Sequence, residues 1–152
     1  MLIERIHIKN FKGFDDKTFN FKDNFTVIIG NNGSGKTSVL DALAIASGCY
    51  LIPLGGGQKY QRAIHKGEVR IIEKSKSVFE PQLPCEIEAE GEWGEWKRSI
   101  DKLTFTNTVK HAKIVSKMSK EILEKALKED NVTLPLFAYH GTGRLWAELN
   151  DM

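Results

Sequence analysis

Residues Gly30 to Thr37 read G-N-N-G-S-G-K-T, and this motif indicates the fold class of the chain. It fits the phosphate-binding pattern G-x-x-x-x-G-K-[ST] at every fixed position. A β-branched apolar run, Phe25 to Ile29, precedes the loop, and apolar residues at helical spacing follow it as far as Ala46. A strand, a glycine-rich loop and a helix in this order are the setting that the pattern requires. We therefore predict an α/β fold of the P-loop NTPase type.

Each residue type in this loop suits an anionic ligand. Glycines permit backbone angles that are closed to other residues and leave room for a phosphate. Amide groups at a helix N-terminus favour negative charge. Lys36 supplies a positive charge to the β and γ phosphates, and the Thr37 hydroxyl is the expected Mg²⁺ ligand. The predicted phosphate-binding residues are Gly30, Asn32, Gly33, Ser34, Gly35, Lys36, Thr37 and Ser38.

The predicted nucleotide is ATP, because the chain contains no guanine-selecting motif of the Asn-x-x-Lys-Asp or Thr-Lys-x-Asp type. Hydrolysis also needs an aspartate at the end of an apolar strand and a residue that orients water. After Thr37, no run of four apolar residues ends in aspartate, and the run Leu134 to Tyr139 ends in His140. The catalytic residues are therefore unknown from the sequence.

Composition places the chain among ordinary globular proteins. It has 152 residues, 41% of them hydrophobic and 28% charged, with a net charge of +2 that gives no strong attraction to nucleic acid or membrane. Cys49 and Cys85 lie outside any metal-ligand or redox spacing, so we expect reduced, partly buried thiols. No apolar run approaches the roughly 20 residues of a membrane span, and no signal peptide is visible. We expect a cytoplasmic protein without a membrane partner.

Periodicity predicts further elements on both sides of the loop. Alternation predicts antiparallel strands with one solvent-facing side after the first helix, and an amphipathic helix follows them. The expected strands are Leu2 to Lys9, Lys17 to Phe21, Val69 to Ile72, Cys85 to Gly91, Trp93 to Ile100 and a final buried strand from Leu134 to Tyr139. The expected helix covers about 109–128, with an apolar stripe formed by Val115, Met118, Ile122, Leu123, Ala126 and Leu127.

Two stretches, I-x-I-x-N-F-K-G-F (Ile6 to Phe14) and F-T-V-I-I-G-N-N-G-S-G-K-T-S-V-L-D-A-L (Phe25 to Leu43), resemble a known family. They are similar to the N-terminal lobe of the ABC-type ATPases that include RecF, the SMC proteins, Rad50 and the OLD nucleases. A third stretch, Leu134 to Trp146, resembles ATP-binding proteins of Septu-type and retron-associated anti-phage systems.

The resemblance implies a single N-terminal ATP-binding lobe over residues 1–152. Its P-loop sheet would cover about 1–50 and 130–145, and an antiparallel β-rich insert about 60–106. The C-terminal lobe, which in this family carries the signature motif, the Walker B aspartate and the catalytic glutamate, is absent from the chain.

The same resemblance implies roles for individual residues and for partners. Lys12 would flank the nucleotide, and His140 and Arg144 would occupy the Q-loop, where a glutamine is usual. The intact protein would bind ATP and Mg²⁺ and form a homodimer with ATP between the two heads. Hydrolysis would drive DNA handling or control a partner nuclease, with anti-phage defence as the suggested setting.

Two other functions fit the loop. A nucleotide-gated binding module that does not hydrolyse ATP agrees with the missing Walker B aspartate. A small nucleotide kinase has a similar length, but such kinases usually begin directly with the P-loop strand and carry an arginine-rich lid. Here a two-strand hairpin precedes the P-loop strand.

Overall fold

A computed structural model describes residues 2–22, 25–54, 61–108, 110–128 and 131–141. Its strands and main helices are, in chain order, β1 (Ile3–Phe11), β2 (Phe14–Asn20), α1 (Lys36–Gly48), β3 (Ile71–Ser75), β4 (Val78–Pro81), β5 (Cys85–Gly91), β6 (Gly94–Ile100), β7 (Asn107–Thr108) and α2 (Lys113–Leu127). Short 3-10 helices cover Cys49–Leu54, Lys66–Glu68 and Lys110–Ala112. In this described part, no helix is long and apolar enough to cross a membrane.

One antiparallel sheet holds most of the strands, in the order β2-β1-β5-β6-β7. The N-terminal hairpin and the β5–β6 hairpin are joined because β1 pairs directly with β5, with Ile8 opposite Ile87. The expected P-loop sheet and the expected β-rich insert therefore share a sheet. Strands β3 and β4 form a separate two-stranded sheet, and the sequence pattern did not predict β4.

The sheet has one apolar face, as the alternation predicts for β5 and β6. Ile6, Ile8, Ile87 and Ala89 are buried beneath it, while the glutamates between the apolar residues of β5 point to the outer face. Two of these glutamates are paired across strands, Glu86 with Lys97 at 2.7 Å and Glu90 with Arg5 at 2.6 Å. The prediction of antiparallel strands with one solvent-facing side is confirmed for β5 and β6. It is wrong for the predicted strand Val69 to Ile72, because β3, which overlaps it, is exposed along its whole length.

Helix α1 packs on the inner face of this sheet and matches the predicted helix. Ala42 and Ile45 are buried, and the indole nitrogen of Trp96 on β6 donates a 3.0 Å hydrogen bond to the carbonyl oxygen of Ala46. Helix α2 packs on the 3-10 helix Cys49–Leu54 that follows α1, where the Ser119 hydroxyl donates to the carbonyl oxygen of Tyr50 at 2.6 Å. The predicted stripe of α2 is too wide, because Leu127 is 75% exposed.

Two predicted strands are wrong in this structure. The segments 25–29 and 134–139 form no β-ladder, and Phe25, Ile29 and Leu136 are 83%, 88% and 94% exposed. A strand buried on both faces needs hydrogen-bonded neighbours at its edges and a packed layer on each side. The described strands pair with one another in the two antiparallel sheets and leave these segments without such neighbours. An apolar, β-branched sequence alone does not form a strand.

Candidate functional site

The backbone of the glycine-rich loop explains the spacing of its glycines. Gly33 and Gly35 have φ angles of 81° and 89°, in the left-handed region that other residues rarely adopt. A Cβ atom on Gly30 would lie 2.7 Å from the Ser34 hydroxyl oxygen, and the Ser34 amide donates to the carbonyl oxygen of Asn31 at 3.2 Å. Gly33 and Gly35 are therefore favoured by their backbone angles, and Gly30 by the close approach of the Ser34 side chain.

The loop ends at the N-terminus of α1, which is open to an anion. Gly35 is the N-cap, and no side chain in the described part of the chain caps the helix. The first turn holds Lys36, Thr37 and Ser38 and no acidic residue. The free amide groups of this turn and the helix dipole both favour a negatively charged ligand. The Thr37 side chain is exposed beside them, as a Mg²⁺ ligand must be.

Lys36 lies folded over the loop. Its ammonium group donates to the carbonyl oxygens of Gly30 and Asn31, each at 2.8 Å. Both acceptors are neutral, so a phosphate oxygen would bind the ammonium more strongly than they do. The loop residues thus fit the phosphates of a nucleotide, with the positive charge already held at the loop.

The β1–β2 turn packs directly against the loop. A Cβ atom on Gly35 would lie 2.6 Å from the ring of Phe14, which itself packs edge-on against Phe19 at a centroid distance of 5.5 Å. Lys12 in this turn has a φ angle of 51°, and its amide donates to the carbonyl oxygen of Glu68 at 2.6 Å. The N-F-K-G-F stretch therefore supports the P-loop, because the Phe14 side chain packs against the backbone of Gly35.

Asp41 is a site residue that the sequence analysis missed. It lies on α1, is only 6% exposed, and accepts hydrogen bonds from Lys12, from Arg62 at 3.3 Å and from the Tyr139 hydroxyl at 2.5 Å. Burial raises the pKa of Asp41, but the hydrogen bonds from Lys12 and Tyr139 outweigh it and the net pKa lies below its usual value. An aspartate on an otherwise apolar helix face, in V-L-D-A-L, was the available signal.

Glu68 completes a group of charges around Asp41. It contacts Arg62 at 2.5 Å and the Lys12 ammonium at 3.3 Å, so two carboxylates face two cations. Burial raises the pKa of Glu68, but the hydrogen bonds from Arg62 and the His65 amide, together with the charges of Arg62 and Lys12, lower it below its usual value. Lys12, which was expected to flank a nucleotide, has its ammonium group within this cluster.

The assignment of His140 and Arg144 to a Q-loop stays a prediction. His140 is exposed on segment 131–141, and Arg144 lies outside the described residues. Segment 131–141 borders a groove of about 440 Å³ beside α1, lined in part by Leu40, Leu43 and Leu136. Across the described residues, no group of three His, Cys, Asp or Glu side chains could hold a metal ion.

The comparisons with known proteins agree with the loop geometry. The AAA domain family matches residues 5–152, nearly the whole chain. The chain belongs to this family. With the uncapped α1 and the antiparallel sheet, this AAA domain has an α/β fold of the P-loop NTPase type.

Three curated relatives show how much of a protein this AAA domain represents. It is 30% identical over 109 residues to the DNA replication and repair protein RecF of Pasteurella multocida, covering 72% of this chain and 26% of the relative. It is 33% identical over 87 residues to the DNA double-strand break repair Rad50 ATPase of Sulfolobus acidocaldarius, covering 57% and 9%. It is 54% identical over 73 residues to uncharacterized protein 050L of Invertebrate iridescent virus 6, covering 48% and 6%. The alignments span about a quarter or less of each relative.

Proposed function

We propose that this AAA domain binds ATP with Mg²⁺ at residues 30–38, as the nucleotide-binding lobe of a larger ATPase. Gly30, Asn32, Gly33, Ser34 and Gly35 surround the phosphates, Lys36 contacts the β and γ phosphates, and Thr37 and Ser38 supply hydroxyl groups, Thr37 to Mg²⁺. When bound, Mg²⁺ neutralises charge that develops on the phosphates. The chain's own task is to hold the triphosphate in one position.

The open N-terminus of α1 carries this proposal. It follows two left-handed glycines, has no side-chain cap in the described structure, and places Lys36 within reach of any anion that enters. A helix N-terminus with a converging glycine-rich loop is a general phosphate site. Lys36 adds the charge-assisted hydrogen bond that separates a nucleotide site from a simple turn.

A second candidate function is nucleotide binding without hydrolysis by this lobe alone. The ion pairs of two carboxylates favour it. Asp41, which is buried on α1, and Glu68, which is largely buried beside it, are held by Lys12 and Arg62. Neither is free to activate water. We propose that hydrolysis requires residues from another part of the intact protein.

The intact protein is proposed to work as a homodimer with ATP between two heads, and to act on DNA. This follows the relatives named for DNA repair, DNA replication and chromosome partition. Control of a partner nuclease, with a role in anti-phage defence, is the finer form of the proposal. The exposed apolar segments 25–29 and 134–136 support the larger assembly, because they offer surface for further strands of a complete head.

Titration of the purified chain with MgATP tests the proposal, with melting temperature and phosphate release followed together. At a hundredfold excess over Kd, binding stabilises the folded state by about 2.7 kcal/mol. Lys36→Ala removes a hydrogen bond to a charged group, worth about 1.5–3 kcal/mol, so the Kd for ATP rises about tenfold to a hundredfold. Lys117→Ala, on an α2 side chain that is 80% exposed, is the matched control and leaves the Kd unchanged.

The outcomes separate the candidates. A melting shift that needs Lys36, without phosphate release, supports an ATP-binding lobe that depends on a second part. Lys36-dependent phosphate release contradicts the second candidate and makes this lobe a complete enzyme. No shift in the wild-type chain contradicts the proposal that this lobe binds ATP by itself.

A further inference from the structure

We propose that Asp41 is a positioning residue through which an occupied P-loop and the docking of segment 131–141 strengthen each other. The inference rests on the proposed binding of ATP. It concerns a coupling between two places on the lobe: the loop at the start of α1 and the segment that ends beside its middle.

Among the described residues, Tyr139 and Phe137 are the side chains of segment 131–141 that contact the lobe most clearly. The hydroxyl of Tyr139 donates to Asp41 at 2.5 Å, and the ring of Phe137 lies 5.5 Å from that of Tyr50. Leu134 and Leu136 are 54% and 94% exposed. In the described residues, this segment has no backbone ladder to a strand. The bond from Tyr139 to Asp41 is therefore a large part of what positions the segment against α1.

Asp41 is also connected to the P-loop, by two routes. It lies on the same helix as Lys36 and Thr37, which begin α1. Its partner Lys12 belongs to the β1–β2 turn, whose Phe14 ring packs on the N-cap glycine of that helix. A displacement of the loop thus reaches Asp41 through packed atoms.

Electrostatics give the coupling its direction. A phosphate bound at the start of α1 brings negative charge that competes with Asp41 for the ammonium group of Lys12. A buried carboxylate that loses part of a cation depends more on its remaining donors. For Asp41 these are Arg62 and the Tyr139 hydroxyl. Nucleotide binding therefore strengthens the bond that holds segment 131–141.

Thermodynamic linkage requires the coupling between ATP binding and segment docking to be reciprocal. The factor by which ATP favours docking of the segment equals the factor by which docking favours ATP. Tyr139→Phe removes the hydroxyl and keeps the ring, so it weakens docking with little other change. We expect this variant to bind ATP about fivefold more weakly, at the lower end of ordinary coupling strengths.

Chymotrypsin cleavage of the whole chain, with fragments identified by mass spectrometry, measures docking. The rate of cleavage at Leu136 to Tyr139 is divided by the rate of cleavage at Phe79, a 64% exposed residue on β4, so that general stabilisation of the fold by ATP does not change the ratio. In the wild type, saturating MgATP lowers this ratio about fivefold. In Tyr139→Phe and Asp41→Asn, MgATP leaves the ratio unchanged. Asp16→Asn, which changes an exposed carboxylate on β2, is the matched control and keeps it.

Each result supports or contradicts the coupling. The coupling is supported if Tyr139→Phe loses the ATP effect on cleavage and also binds ATP more weakly. Tyr139→Phe is sufficient for this test if Asp41→Asn fails to fold. If wild-type ATP binding depends on Lys36 but leaves the cleavage ratio unchanged, the coupling is wrong and the proposed function stands. If the wild type does not bind ATP, both are wrong.

Discussion

Replacing Gly35 by alanine tests whether the P-loop owes its shape to the backbone angle and packing described here. The φ angle of Gly35 is 89°, and an alanine in the left-handed region costs about 1–2 kcal/mol. The added Cβ atom would lie 2.6 Å from the Phe14 ring. Overpacking of this kind costs about 1–3 kcal/mol. We expect Gly35→Ala to lower the free energy of unfolding by about 2–5 kcal/mol, the sum of the two.

The packing contribution is separable because it involves one ring. Phe14 packs edge-on against Phe19, so a new methyl group at position 35 displaces a ring that has its own packing partner. In a Phe14→Leu background, the Gly35→Ala penalty should shrink by about 1–3 kcal/mol and leave the contribution of the backbone angle. Gly13→Ala, in the same turn but with open space around its Cβ position, is the matched control and should be nearly neutral.

Urea unfolding followed by tryptophan fluorescence measures all four variants of the cycle and the control. ATP binding by calorimetry supplies a second measurement, in which Gly35→Ala should bind far more weakly than Gly13→Ala. A Gly35→Ala penalty that is equal in the wild-type and Phe14→Leu backgrounds would refute the packing argument. If the penalty is below about 1 kcal/mol in both backgrounds, the argument from the backbone angle is wrong as well.

Three pH-dependent predictions follow from the shifted pKa values. The pKa values of Asp41 and Glu68 are lowered in the folded state. The two carboxylates therefore stabilise the fold fully above their ordinary pKa of about 4, and this stabilisation is lost as the pH falls below it. Acid unfolding of Asp41→Asn should therefore depend less on pH than acid unfolding of the wild type. Burial, followed by the hydrogen bond to Asp41, raises the pKa of Tyr139 to about 12. The contribution of Tyr139 to the free energy of unfolding is therefore complete below about pH 10 and is lost as the pH rises through 12. Ultraviolet titration of the wild type and of Tyr139→Phe measures this pKa, and ionisation of Tyr139 near its ordinary pKa of about 10 would contradict the prediction. Burial raises the pKa of Cys49 to about 11 and of Cys85 to about 12, so neither thiol should react with a disulfide reagent near pH 8 until the chain unfolds, and rapid labelling of the native chain would contradict this.

Local sequence was sufficient for the loop and for the elements with a clear period. Helix α1 follows from apolar residues at helical spacing after Gly35, and β5 and β6 follow from alternation. These patterns work because each residue's environment is set by neighbours close in the chain. The glycine-rich loop belongs to the same class, since its glycines, its lysine and the helix that follows are consecutive.

The predicted strands at 25–29 and 134–139 failed for the opposite reason. Their apolar composition describes an environment with partners on every side, and such partners come from elsewhere in a fold. Phe25, Ile29 and Leu136 are instead largely exposed. A sequence pattern indicates what a segment would bury, but the surrounding strands determine whether it does.

The glycine-rich loop, the helix behind it and the class of fold can be read from the sequence alone, because they depend on backbone angles and spacing within a short stretch. The grouping of Asp41 with Lys12, Arg62 and Tyr139 depends on the packing of distant elements. The aspartate and the tyrosine are 98 positions apart, and no local periodicity relates them. A buried carboxylate needs donors from whichever elements surround it, so its partners are set by packing.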